Sequence, residues 1–540
     1  MLSAQMLESI KKVEATRPER LTIDPRRLTA EEKDNLLHDY HPDFREDAFG
    51  KIGTGPNKGE KAPKELVDLL NSNSHIYGED VDLDKIAYDV DVLIIGGGGA
   101  GACAAIEAKK AGANVLIVTK LRMGDANSMM AQGGIQAATK PNDSIMQHYL
   151  DAFGGGHYKG KPELVGRLVK EAPGSIEWLT NLGVLFDKEP DGTLVTVLGG
   201  GISRKRFMAC ADYTGLEITR VLRDEMQNLN IPVVEFTAAL ELVLDENGNA
   251  AGAVLKNMET GEYFIAKAKT VILATGGAGR LHYQGFPTTN HYGATADGLI
   301  MAYRVGAPLM YPDTIQYHPT GAAYPVQIFG ALVTEKVRSF GAMLLNIDGE
   351  AFVNPLETRD VAASAIIREC NHRGKGIPTS NGFGVWLDTP MLDIIRGKGT
   401  MQKYFPAVVS MFKRYGVNVT EKPVLVYPTF HYQNGGVEIE GDGATAKIPN
   451  LYVAGEASGG VHGRNRVLGN SVLDFVVFGR LCGQEAAKKA PGVKIGKMTI
   501  EHVNTYAKTL KDAGIETNMR SPQLFPKYTR EVNNSGGLGG

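Results

Sequence analysis

Cysteine is scarce in this chain, and the four present (Cys103, Cys210, Cys370 and Cys482) lie far apart. None falls in a CxxC, a haem-type CxxCH or an iron–sulfur spacing, so no metal cluster is expected and a reduced compartment is indicated. An excess of one charge is missing too: the formal net charge is −3 over 540 residues. A nucleic-acid partner would require a basic face, which excludes that class. No apolar run is long enough to span a bilayer. The opening MLSAQMLESIKK lacks the apolar core of a secretory signal. A cytoplasmic chain without direct membrane insertion is therefore expected. Glycine is what the sequence has in excess, 65 residues, about 12% against a usual ~7%. The glycines are bunched, as where backbone must come close to a ligand.

At this length more than one structural unit is expected. Residues 1–87 are polar and irregular and read as a wrapping or partner-contacting arm. Within them Thr29 with Glu32 forms a capping box, LVDLL near Leu66 suggests another short helix, and GKIGTGPNKGEKAPK reads as a loop. The register changes near Asp91. VDVLIIGGGGAGACAAIEAKKAGANVLIVTK is an apolar strand, a glycine cluster, an Ala-rich helix and a second strand. Gly96, Gly98 and Gly101 fill GxGxxG between strand and helix, the setting in which helix N–H groups meet a pyrophosphate. The second strand ends in Thr119-Lys120, where an NAD enzyme would carry an acidic ribose ligand. TVILATGGAGR and LYVAGEASGG repeat the strand-then-glycine theme, and Glu456 in the second offers a carboxylate for ribose hydroxyls. Three such pieces so far apart predict an α/β fold, a Rossmann-type nucleotide domain interrupted by an α+β insertion from about Thr314 to Phe430.

Five clusters carry unusual polar residues. IQYHPTG holds His318, ALVTEKVRS holds Thr334, Glu335 and Arg338 at a predicted strand end, and ETRDVAASAI opens a predicted helix with Arg359 and Asp360. TFHYQNGG carries His431, and VHGRNRVLGNSVLDFVVFG carries Arg466, with Arg464 beside it reading as a surface residue. Singly, each has an ordinary structural explanation. Together, two His, three Arg, a Thr and a Glu around a domain seam suit a small dianion, because arginine presents a planar fork to carboxylates.

The ordered motifs GGGGAG, AQGG, ATGG, HPTG, TExxR, RD, HYxxGG, GEASGGVHG and NRxxGNSxLD run from about Asp89 to Ala490. In these the chain resembles the flavoprotein subunit of the fumarate reductase/succinate dehydrogenase family, which also includes L-aspartate oxidase. The resemblance implies FAD in the nucleotide domain (88–313 and 431–490), a mobile capping domain (314–430), an N-terminal extension (1–87) and a short tail (491–540). It implies His318 and Thr334 on one carboxylate of a C4 dicarboxylate such as fumarate or succinate, and His431 and Arg466 on the other. Flavin N5 would exchange hydride with one central carbon while Arg359 exchanges a proton with its neighbour, and Glu335 and Arg338 would form the route to solvent. Gly96, Gly98, Gly99 and Gly101 would cradle the pyrophosphate, with Thr119 and Lys120 toward the adenosine. Gln132, Gly133 and Gly134 would approach the isoalloxazine, and Asn127 and Ser128 would also contact the cofactor. Ala274, Thr275, Gly276, Asp297, Glu456, Ser471 and Leu473 would complete the pocket.

Two departures stand out. The family usually continues Gly-Glu-Gly after the TExxR arginine, where this chain has Ser339-Phe340-Gly341. In membrane-bound members, the residue four before the Ala of AQGG is a histidine bonded to the flavin. Here that position is Asn127 in GDANSMMAQGG, which cannot form the bond. A flavin held by contacts alone is the better hydride donor, so fumarate reduction is favoured over succinate oxidation. Lacking a cluster motif of its own, the chain is expected to draw electrons from an iron–sulfur partner, through which it would reach a membrane. The alternatives are L-aspartate oxidase, a reductase of another unsaturated dicarboxylate, and a catalytically silent electron-transfer subunit. The stretch Leu468–Asp474 resembles fumarate reductases more than aspartate oxidases, which tend to lack that Gly and Asp.

Overall fold

Val92–Ile95 is apolar on both strand faces and wholly buried, as a central parallel strand requires. In the computed structural model, which describes residues 2–445 and 447–525, this run belongs to the strand Ile86–Ile95. That strand lies between Tyr263–Leu273 and Val115–Val118, all parallel. Leu451–Val453 joins Tyr263–Leu273, also parallel, so segments nearly 360 residues apart complete one sheet. The registers Ile95↔Leu273 and Leu273↔Val453 end the three strands at one level. All three glycine turns therefore open at the same carboxyl edge, where open α/β sheets bind ligands. An antiparallel hairpin, Thr237–Asp245 with Ala250–Asn257, extends this eight-stranded sheet, and Met498–Thr499 closes its edge.

The helix Gly99–Lys110 follows the first glycine turn and packs against Asn470–Lys489. Their contact is close because Gly479 and Gly483 face the carbonyls of Ala100 and Ala104. The closing SGGLGG lies outside the described residues.

A second sheet, antiparallel, is built from Ile315–Ala322, Val424–Gln433, Gly382–Leu387 and Leu344–Leu345. Strand Val424–Gln433 runs through position 430, so His431 shares this sheet with His318. The helix Arg359–Ile367 begins where ETRDVAASAI predicts and packs on Ile315–Ala322. Glu335 does not end a strand. It precedes a short helix, Lys336–Ser339, whose turn is started by the Lys336 N–H donating to Thr334 Oγ1.

The N-terminal segment is more ordered than its polar sequence suggests. A 17-residue helix, Ala4–Arg20, opens it with Ser3 as N-cap. Ser9 Oγ donates to the Ile347 carbonyl (2.6 Å) and accepts from Trp386 Nε1 (2.8 Å). Arg17 and Arg20 both reach Asp388, each at 2.8 Å. The Thr29–Glu32 capping box opens Ala30–Tyr40, which lies along Arg359–Ile367. LVDLL is helical, Lys64–Leu70, whereas the expected loop before it pairs as a hairpin, Phe49–Lys51 with Lys61–Pro63. Asn57 then hydrogen-bonds Tyr303 and Leu309 beside the nucleotide sheet. The segment is thus a strap across both sheets.

Candidate active site

One cleft joins the glycine edge of the first sheet to the polar face of the second, enclosing about 1570 Å³ of empty space with its open mouth included.

At the nucleotide end, Gly96 is left-handed (φ 123°), and a side chain there would collide with the Ala274 carbonyl. Gly101 meets the Gly96 carbonyl in the same way and does not line the cleft. It lets helix and strand approach while Gly96, Gly98 and Gly99 present backbone to the cavity. Lys120 donates to Thr295 Oγ1 (2.8 Å) and Asp297 (2.7 Å), which ties the end of the second strand to another helix at the cleft wall. Thr119, Ala274, Thr275, Gly276 and Ser471 also line the cleft. Leu473 is turned into the core, and Val472 occupies the lining position. Ser128 Oγ accepts from the Gly99 N–H at 2.7 Å. Gln132, Gly133 and Gly134 line the middle of the cleft, where Gln132 Oε1 is buried without a hydrogen-bond partner among the described residues. The open glycine cradle and this orphaned acceptor fit a bound FAD.

Asn127, at the same middle zone, donates to Asn290 Oδ1 (2.6 Å) and Glu456 Oε2 (3.2 Å) and accepts from the His291 N–H (2.6 Å). Glu456 Oε1 accepts from the Gln433 N–H at 3.0 Å. Burial raises the Glu456 carboxyl above its usual range, although these donors pull the other way.

At the far end the two histidine rings lie 5.0 Å apart, edge to face. The Thr320 N–H donates to His318 Nδ1 (3.2 Å), which puts the neutral ring's proton on Nε2. His431 Nδ1 is paired with Thr289 Oγ1 at 2.8 Å. Both imidazoles are held well below their ordinary pKa, first by burial and then by Arg359, and are neutral at pH 7. Thr334 lies alongside, 1% exposed.

Arg359 and Arg466 share one acceptor. Gln316 Oε1 takes Arg359 Nη1 at 2.9 Å and Arg466 Nη2 at 2.8 Å. The Gln316 amide is fixed because Nε2 donates to Asn465 Oδ1 and the Arg466 carbonyl. Arg466 lies over the Tyr432 ring (4.5 Å) and is lowered to about 9 by burial and then by Arg359. Glu335 accepts from Arg359 Nε at 2.8 Å, with Arg338 Nη2 at 3.3 Å from the same oxygen. Arg338 sits behind Glu335, away from the cleft. Burial pushes Glu335 up, but Arg338 and Arg359 outweigh it and hold the carboxyl below its usual range. Three guanidinium groups against one ionised carboxylate leave the buried site short of negative charge, which a dianion would supply.

The site thus gathers His318, Thr334, Glu335, Arg359, His431 and Arg466 from five separate sequence segments. Gln316 escaped the sequence reading, although strand alternation in IQYHPTG puts it on the same face as His318. Asn290 carries no such local signal. Arg464 is half-buried and paired with Asp313 at 2.7 Å, so it is not the free surface residue expected.

Fold and site define an FAD-dependent oxidoreductase of the fumarate reductase/succinate dehydrogenase flavoprotein type. The FAD binding domain family matches residues 91–472, and the chain belongs to that family. It is 38% identical to a fumarate reductase (CoM/CoB) subunit of Methanothermobacter marburgensis, over 76% of this chain and 74% of that one. It is 34% identical to an L-aspartate oxidase of Streptomyces coelicolor, over 75% and 70%. Its structure superposes on a variant E. coli quinol fumarate reductase with a TM-score of 0.71 at 30% identity, covering 79% of this chain and 74% of that one. Among the described residues no helix is long and apolar enough to cross a membrane.

Proposed function

We propose that the chain reduces fumarate to succinate as the flavoprotein subunit of a cytoplasmic complex. FAD is held without a covalent bond, and electrons come from an iron–sulfur partner through which the complex reaches a membrane. The observation that carries this reading is the sharing of Arg359 between Glu335 and Gln316 in a cleft lined by His318, His431 and Arg466. Bound FAD supplies the hydride. His318 and Thr334 hold one carboxylate, and His431 and Arg466 hold the other. That fixes the alkene and draws electron density from the carbon that accepts hydride. Arg359 gives a proton to the adjacent carbon, and Glu335 restores it. A guanidinium is a poor acid in water, so this needs a dry site, and Arg359 is only 5% exposed. Asn127, with no histidine in its place, supports contact-only binding and hence the reductive direction.

The test is anaerobic reoxidation of dithionite-reduced protein across a panel of unsaturated acids. Fumarate is expected to restore the oxidised flavin spectrum and crotonate is not; failure with every dicarboxylate refutes the reading. Arg359→Lys is expected to lower turnover by about 10²–10⁴-fold with FAD retained, and near-normal rates would remove Arg359 from its role. Acid precipitation should leave the flavin in the supernatant, whereas a yellow pellet refutes contact-only binding. The 34% identity to an L-aspartate oxidase supports a second reading, for which iminoaspartate formation from L-aspartate is the discriminating assay.

A further inference from the structure

Glu335 makes a contact that the proton route described above does not use. Its Oε1 accepts the backbone N–H of Gly200 at 2.8 Å. Gly200 is the middle of Gly199-Gly200-Gly201, in the connection between the helices Pro162–Leu182 and Thr214–Asn228. This triplet lies outside the segment that carries Glu335, Glu357 and Arg359, yet it is seated against that segment. The Gly201 N–H donates to the Leu356 carbonyl at 3.3 Å. A Cβ at Gly200 would lie 2.6 Å from Glu335 Oε1 and 2.9 Å from the Glu357 carbonyl, so only glycine brings this amide so close. At Gly199 a Cβ would lie 2.6 Å from Leu468.

The two carboxylate oxygens therefore differ. Oε2 faces Arg359 at 2.8 Å and Arg338 at 3.3 Å, the charged groups on the route. Oε1 faces an amide, which donates a hydrogen bond but cannot exchange its proton usefully. We propose that the Gly200 amide is a positioning group for proton delivery: it occupies Oε1 and so confines the proton traffic of Glu335 to Oε2. As Arg359 loses a proton to the substrate carbon, the ionised Glu335 takes up a solvent proton at Oε2 from the Arg338 side. That O–H bond then breaks as an N–H bond forms on Arg359, so one solvent proton enters per turnover and Glu335 ends ionised again. The amide and the carboxylate come from different segments, so this contact exists only where the two segments are seated together.

This inference rests on the reading of Arg359 as proton donor and is tested beside it. Gly200→Ala places a methyl against Oε1. FAD content and succinate affinity, read from flavin absorbance, are expected to stay within about threefold. Turnover with fumarate should fall at least tenfold, the solvent deuterium effect on kcat should grow, and the group controlling kcat should titrate at higher pH, because the carboxylate has lost a donor. In a double-mutant cycle Glu335→Asp, one methylene shorter, makes room for the methyl, so the two losses should be strongly non-additive. An independent readout is amide hydrogen exchange over residues 198–206, which Glu335→Ala should accelerate with or without FAD. Wild-type kcat and pH profile in Gly200→Ala, or unchanged exchange in Glu335→Ala, overturns the proposal. If Arg359→Lys is inactive while Gly200→Ala is normal, this inference alone fails. Should Arg359→Lys turn over normally, the proton-donor reading itself falls.

Discussion

Gln316 holds two arginines with a single neutral oxygen, and neutrality is what the site requires of it. A carboxylate there would satisfy both guanidinium groups before any ligand arrived. Gln316→Glu, nearly isosteric, is therefore expected to raise KM for fumarate by about tenfold or more, in line with the cost of disturbing buried charge pairs. Gln316→Met removes the acceptor without adding charge and should act more on kcat, by freeing Arg359 to turn. Steady-state kinetics on the two variants separates the effects, and an unchanged KM in Gln316→Glu would show that the dianion does not meet these arginines. A second single-residue expectation concerns acid. Burial holds His148 at about 4 in the folded chain, against 6.5 when exposed, so the unfolded state takes up its proton first. The stability this His contributes is complete above pH 6.5 and is lost as pH falls toward 4. The shift corresponds to about 3 kcal/mol at the lower end. His148→Gln should accordingly gain on the parent chain as pH drops through that window, measured as the difference in thermal midpoint. A constant difference would mean that the ring takes up its proton alike in the folded and unfolded states.

Among the elements, the glycine-rich turns and their strands were legible because each carries its own local signature. Ile86–Ile95 reads as a buried parallel strand from VDVLII alone, and Thr29 with Glu32 announces a helix start. The helix Ala4–Arg20 was not legible, because its buried apolar positions, Met6, Ile10 and Val13, are few. Its docking surface near Asp388 is invisible from nearby sequence. Glu335 was misplaced on a strand for a related reason: ALVT is strand-like, and the turn in which the Lys336 N–H donates to Thr334 Oγ1 leads into the short helix. The site residues came from motif order, whereas Gln316, Asn290 and Gly200 act through partners distant in sequence. The pairing of Gly99–Lys110 with Asn470–Lys489 can be probed directly. Gly483→Ala would drive a methyl into the Ala104 carbonyl. That overpacking should cost about 1–3 kcal/mol of stability and weaken FAD retention, since both helix N-termini face the cleft. Differential scanning fluorimetry with and without added FAD measures both, and an unaltered midpoint would mean the helices can separate freely.

At the scale of the molecule, the nucleotide sheet is completed by residues near 90, 270 and 450, and the cleft opens between it and the capping sheet. The strap spans the seam, gripping Trp386 and Asp388 at one end and Tyr303 and Leu309 at the other. The distances along the chain have a consequence for biogenesis. Ser9 meets Ile347 and Trp386 across separations of 338 and 377 residues. At a synthesis rate of roughly 5–20 residues per second, the first helix leaves the ribosome about 20–70 s before its seat exists. For that interval Met6, Ile10 and Val13 have nothing of their native seat to pack on and stay open to solvent.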